Sequence, residues 1–89
     1  MNSTEAKLKF IQMYLYFVSQ HKDGIPLAKL SSLLYLADFS SYYENLEPIS
    51  GVRYIRRASG PVADIFYEVT NELRNKGVID IVPADTAGF

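Results

Sequence analysis

Asp38 is the residue whose neighbours in sequence look most like chemistry, with Tyr35, Ser40, Ser41 and Tyr42 all within four positions of it. A carboxylate among hydroxyls is the raw material of an acid/base centre. Spacing along one helix, however, defines no nucleophile, base and orienting group converging on a reacting atom. The structural alternative is a carboxylate at the edge of a buried stripe, which must be satisfied by hydrogen bonds or by a cation. We expect Asp38 to meet Arg53, Arg56 or Arg57, or the free N–H groups at the start of the third helix.

The second candidate is "YIRRASGPVADIF", residues 54–66. Arg56, Arg57 and Gly60 ahead of a helix N-terminus suggest an anion site. Pro61 removes one N–H donor, and neither a phosphate-binding GxxxxGK[ST] nor a dinucleotide-binding GxGxxG pattern is present. Gly60-Pro61 reads more economically as a strand-to-helix connector that starts the third helix.

Other chemistries are narrower still. The chain has no cysteine, which removes disulfides, thiol nucleophiles and thiolate metal sites, and His21 stands alone. We assign no catalytic residue, no metal ligand and no cofactor. Nine Lys and Arg against ten Asp and Glu give a net charge of −1, without the bulk positive charge of a typical nucleic-acid binder. The longest apolar stretch, Phe10 to Val18, contains Gln12 and falls short of the roughly 20 residues that cross a bilayer. No secretory signal is visible. The expected compartment is the cytoplasm, with no membrane partner.

The elements that must position these residues follow from periodicity. Eighty-nine residues, 48% of them hydrophobic, fit a single domain over residues 1–89 with one small core. A first helix is predicted over residues 3–21. Leu8, Ile11, Tyr14, Leu15 and Val18 share one face of it, and Phe10, Met13 and Phe17 lie on another. A helix apolar nearly all round is either sandwiched inside the domain or offers its second face to something outside. A second helix should run from Pro26 to Tyr43, with Leu27, Leu30, Leu33, Leu34 and Ala37 facing the core. Residues 47–51 read as a turn. The third helix should run from Gly60-Pro61 to Asn75-Lys76, with Gly77 as its left-handed C-terminal residue and Val62, Ile65, Phe66, Val69 and Leu73 as its apolar stripe. Short strands are predicted at about 52–57 and 78–82, paired with each other, and Pro83 onward as a tail. The fold class is therefore α+β, mainly helical: three helices with a small two-stranded β element.

Two binding readings compete. A winged-helix-like DNA-binding domain fits the outline, since Arg53, Arg56 and Arg57 lie in a stretch, residues 48–63, that holds no acidic residue. Against it, Asp64, Glu68 and Glu72 form a ridge of like charge on the third helix, the natural groove reader. A protein-binding surface accounts for more. Tyrosine and arginine are enriched in binding hot spots, and the chain has seven tyrosines and no tryptophan. Tyr35, Phe39, Tyr42 and Tyr43 lie off the leucine stripe of the second helix, and with Phe10, Met13 and Phe17 they would make a second apolar surface.

Three stretches in order, "KLSSLLYLADF" (29–39), "EPISGVRYIRRASGPV" (47–62) and "LRNKGVIDIV" (73–82), resemble the Panacea domain, the pan-antitoxin family that includes SocA-type antitoxins and phage-associated proteins. The resemblance covers roughly residues 25–82. It implies a non-catalytic antitoxin that neutralises a cognate protein toxin by direct contact, with a protease as a further partner of SocA-type members and nucleic acid ranking behind both. Carried over by position, its motif residues are Tyr35, Ala37, Asp38 and Phe39 in the helix, and Gly51, Tyr54, Gly60 and Pro61 in the strand and turn. Ser59 departs from the aromatic residue that the family often has there. Members usually continue into further helices, so the chain is expected to be a short relative or the N-terminal part of a longer protein. The residues expected to bind a partner are Tyr35, Phe39, Tyr42, Arg53, Tyr54, Arg56 and Arg57. Asp38, Gly51, Gly60 and Pro61 are expected to hold the motif in shape.

Overall fold

A computed structural model describes residues 3–58 and 60–81. The order is α1 (Ser3–Ser19), α2 (Leu27–Asn45), β1 (Tyr54–Arg57), β2 (Gly60–Ala63) and α3 (Phe66–Asn75). Three helices with one two-stranded antiparallel sheet make the predicted mainly helical α+β class.

The core is built from Phe10, Met13 and Tyr14 of α1, Leu30 and Leu34 of α2, Val62 and Ala63 of β2, and Phe66, Val69 and Leu73 of α3. Both faces of α1 contribute: Phe10 and Met13 from one and Tyr14 from the other are buried, Ile11, Leu15, Phe17 and Val18 pack half-buried against the core, and Leu8 is exposed. α3 meets this helix at Tyr14. The Tyr14 and Phe66 rings lie 5.8 Å apart. Tyr14 donates its hydroxyl proton to Thr70 Oγ1 (2.8 Å), and Thr70 in turn donates to the Phe66 carbonyl. Burial, offset by the Thr70 hydrogen bond, raises the Tyr14 pKa. Lys7 extends the same contact outward to Glu72 (2.8 Å) and Glu68 (3.5 Å).

Two expectations about the β element need correction. β1 pairs with β2, not with 78–82, in the register Tyr54↔Ala63, Ile55↔Val62, Arg56↔Pro61, Arg57↔Gly60. Gly60-Pro61 opens this second strand, and α3 begins only at Phe66. The hairpin tolerates the proline for a geometric reason. The Asp64 N–H donates to the Arg53 carbonyl, so pairs 53↔64, 55↔62 and 57↔60 exchange hydrogen bonds, and Pro61 falls at a position whose nitrogen points off the ladder. Gly60 has φ +118°, a conformation that side-chain-bearing residues avoid, so the chain reverses there.

Residues 78–81 form no strand, and Val82 and the tail from Pro83 lie outside the described residues. The amide groups needed for pairing are used elsewhere. Gly77 adopts φ +73°, the Gly77 N–H donates to the Arg74 carbonyl and the Val78 N–H to the Leu73 carbonyl, closing the end of α3. The left-handed role expected of Gly77 is the one it plays.

Candidate functional site

Asp38 lies three turns into α2, on the same side as Leu30 and Leu34, and is only 3% exposed. A buried carboxylate needs donors, and the 47–54 segment supplies them. The Ser50 N–H donates to Asp38 Oδ1 (2.8 Å), the Ser50 hydroxyl donates to Oδ2, and the Tyr54 hydroxyl donates to Oδ2 (2.7 Å). Ser50 Oγ also accepts from the Val52 N–H (3.3 Å), and Tyr54 Oη lies 3.2 Å from the Leu34 carbonyl. Gly51, at φ +79°, turns the chain between the two donors. Burial pushes the Tyr54 phenol well above its ordinary range, and its hydrogen bond to the Asp38 carboxylate adds to the rise.

The expected arginine partner of Asp38 is therefore replaced by two hydroxyls and one amide. Arg53 pairs with Asp64 instead (3.6 Å), and its side chain remains largely exposed. Arg56 and Arg57 are exposed. Neutral hydroxyls of Ser50 and Tyr54 satisfy the buried carboxylate without burying a second charge, which is the cheaper solution. The hydroxyl residues that follow Asp38 on α2 do not join it: Ser40 is exposed, and Ser41 donates to the Glu47 carbonyl (2.8 Å). The arrangement holds the 47–54 segment against α2.

Above this anchor lies a pocket of about 210 Å³ lined by Tyr35, Phe39, Tyr42, Pro48, Val52 and Tyr54 around Asp38 and Gly51. Aromatic contacts continue from it along α2. Tyr54 packs edge-on to Tyr35 (5.3 Å), Tyr35 stacks on Phe39 (5.7 Å) and Phe39 stacks on Tyr43 (6.4 Å). The outer members are open to solvent, with Phe39 51%, Tyr42 55% and Tyr43 78% exposed, and Leu46 and Ile49 are exposed as well. Ile49 lines a separate pocket against α1 with Tyr16 and Phe17, so the row itself is aromatic.

β1 borders the row. Since 53, 55 and 57 bond inward to β2, the N–H and C=O groups of Tyr54 and Arg56 point off the open edge. Four of the seven predicted partner-binding residues, Tyr35, Phe39, Tyr42 and Tyr54, line one pocket, and Arg53, Arg56 and Arg57 stand on or beside the strand that carries Tyr54. Gly60 and Pro61 shape the hairpin. Ser59 lies outside the described residues.

Phe10 and Met13 take no part in this surface because they fill the core. Sequence reasoning also missed Ser50, fully buried and central to the anchor, and Thr70, the partner of Tyr14. Ser50 left a faint trace, since a serine before glycine in a turn often bonds the backbone two residues on, as it does to Val52. Thr70 left none. On α3, Glu68 and Glu72 are engaged by Lys7, so part of the acidic ridge faces α1. Among the described residues, no group of three His, Asp or Glu could hold a metal ion, and no helix is long and apolar enough to cross a membrane.

A family model described as "Antitoxin SocA-like, Panacea domain" matches residues 30–87. The match takes in most of α2, the Asp38 anchor, the hairpin and α3. No curated protein and no solved structure matches the chain.

Proposed function

The chain belongs to the SocA-like antitoxin family with a Panacea domain, and from that premise we propose that it neutralises a partner toxin by direct, non-catalytic binding. The contact surface in this reading is the aromatic row with its pocket, namely Tyr35, Phe39, Tyr42 and Tyr54, together with Arg53, Arg56 and Arg57 beside it. The observation that carries it is the continuous stack from Tyr54 to Tyr43, exposed at its outer end and fixed at its inner end by the Asp38 anchor. Aromatic and arginine anchors held in place before association lose little freedom on binding and are typical of binding hot spots. The toxin would be met in the cytoplasm, and delivery of the bound toxin to a protease is compatible with a surface elsewhere on the domain.

Co-expression with the protein encoded by the neighbouring gene tests the proposal. The chain should restore growth when that protein is toxic and should co-purify with it in a fixed ratio. Phe39→Ala and Tyr42→Ala, both at exposed positions, should abolish rescue while leaving the circular dichroism spectrum unchanged. Rescue that survives both substitutions together would refute this surface. Recovery of nucleic acid alone, with affinity falling steeply between 50 and 200 mM salt, by about 10³-fold or more when phosphate contacts number six or more, would favour the winged-helix alternative.

A further inference from the structure

The two edges of the hairpin are treated differently by the sequence. On β2 the outward positions are Pro61, which has no N–H to offer, and Ala63, which is buried, so that edge is closed. β1 has no such protection. Among the described residues, no backbone hydrogen bond reaches the outward N–H and C=O groups of Tyr54 and Arg56. The N–H of Val52, next along that side, is taken by Ser50 Oγ (3.3 Å), which limits the open edge to those two residues and their four backbone groups. The Tyr54 hydroxyl bond to Asp38 fixes this edge against α2. A held, unpaired edge is a template for a further strand.

The side chains along the edge select what pairs with it. Arg53 at one end has a side chain 84% exposed; Arg56 and Arg57 at the other are exposed and, among the described residues, form no ion pair. Tyr54 and Ile55 stand between them, and no acidic residue occurs from 48 to 63. A second copy of this chain is a poor match. The antiparallel register that uses both outward residues pairs Tyr54 with Arg56, and it sets Arg53 opposite Arg57 across the two-fold axis. Like charges directly opposite are destabilising, whereas a strand carrying carboxylates meets the arginines favourably.

We propose that β1 receives, as a third strand, an extended acidic segment of a partner protein, which is the toxin if the reading above holds, since the inference rests on that reading for the partner's identity. The backbone of the segment pairs with Tyr54 and Arg56, its carboxylates meet Arg53, Arg56 and Arg57, and an apolar residue between them lies beside Tyr54 and the aromatic row. In strand addition the main-chain hydrogen bonds supply affinity and the alternating side chains supply specificity.

A blocked peptide of three valines between two pairs of glutamates, titrated into the 15N-labelled protein, tests the proposal. It should give saturable amide shifts centred on Tyr54, Ile55 and Arg56, with a Kd of about 1 mM or tighter from four backbone hydrogen bonds. At ten times Kd it should slow hydrogen exchange of the Tyr54 and Arg56 amides about tenfold. The same peptide with N-methylated valines keeps its charge and loses its central donors, and should bind about tenfold more weakly. Replacing its glutamates by lysines should weaken it at least as much. Equal binding of the N-methylated peptide, preference for the lysine peptide, or free exchange at Tyr54 and Arg56 in the saturated complex would each overturn the proposal. So would a dimer of the chain that protects these amides without peptide, or an oligothymidylate that displaces the peptide at lower concentration. The two readings fail separately. If the neighbouring-gene protein binds through Phe39 and Tyr42 but leaves both amides exchanging freely, the edge is not its contact and toxin binding stands. If the peptide binds as described and that protein does not, strand addition stands and toxin binding falls.

Discussion

Replacing Asp38 by asparagine is the sharpest probe of the anchor, because the side chain keeps its shape and loses only its charge and one acceptor. In the native protein the carboxylate accepts from the Ser50 N–H, the Ser50 hydroxyl and the Tyr54 hydroxyl. An asparagine can keep the first bond through its carbonyl oxygen, but its NH₂ then faces two hydroxyls that were donating. Both must turn, and the Tyr54 proton is left to the Leu34 carbonyl, 3.2 Å away. Bonds to a charged group contribute about 1.5–3 kcal/mol each and neutral ones about 0.5–1.5 kcal/mol, so converting three loses about 3 kcal/mol. Relief from burying a charge returns part of this, and we expect a net loss of about 2 kcal/mol. For a domain of this size that lowers Tm by about 8–16 °C. Tyr54→Phe, which keeps the ring in its packing and removes one donor, should cost about 1–2 kcal/mol. Because the two side chains share one bond, the double variant should lose less than the sum. Urea unfolding followed by circular dichroism reads all four proteins. Asp38→Asn within about 0.5 kcal/mol of the parent, or strict additivity with Tyr54→Phe, would refute the anchor.

Four further outcomes follow from the same geometry. Tyr54 and Tyr14 both have folded-state pKa values above the ordinary 10.0, so the stability they confer is complete below pH 10 and is lost as pH rises beyond it; urea midpoints should begin to fall as pH passes 10 and keep falling above it, and Tyr54→Phe should flatten the decline. Gly60→Ala meets open space but holds φ +118°, so strain alone should cost about 1–3 kcal/mol in the same assay. Leu46 ends α2 at φ 61° with its side chain 79% exposed, so Leu46→Gly should be neutral or stabilising by up to about 1 kcal/mol, the opposite sign from Gly60→Ala. Arg56→Glu and Arg57→Glu, at exposed positions, should leave Tm nearly unchanged while reducing toxin association, as measured by calorimetry.

Sequence by itself determined the fold class, the existence of three helices, the presence of Asp38 on the inner side of α2 and the left-handed glycine that ends α3. Each is local: a periodicity, a turn residue or a charge at the wrong place on a wheel. Only the tertiary structure decided how α1 is buried: both its faces are apolar, and Phe10, Met13 and Tyr14 enter the core while Leu8 stays exposed, with α3 bringing Phe66 and Thr70 against Tyr14. It likewise decided that β1 pairs with the segment opened by Gly60-Pro61. A glycine and proline in series serve a helix start and a strand start alike, and the hydrogen-bond register, which no single residue carries, separates the two. The Asp38 partner followed the same logic. Charge suggested an arginine, but the turn through Ser50 and Gly51 delivers two hydroxyls and an amide to the carboxylate at hydrogen-bonding distance, and the arginines stay outside, beside the aromatic row.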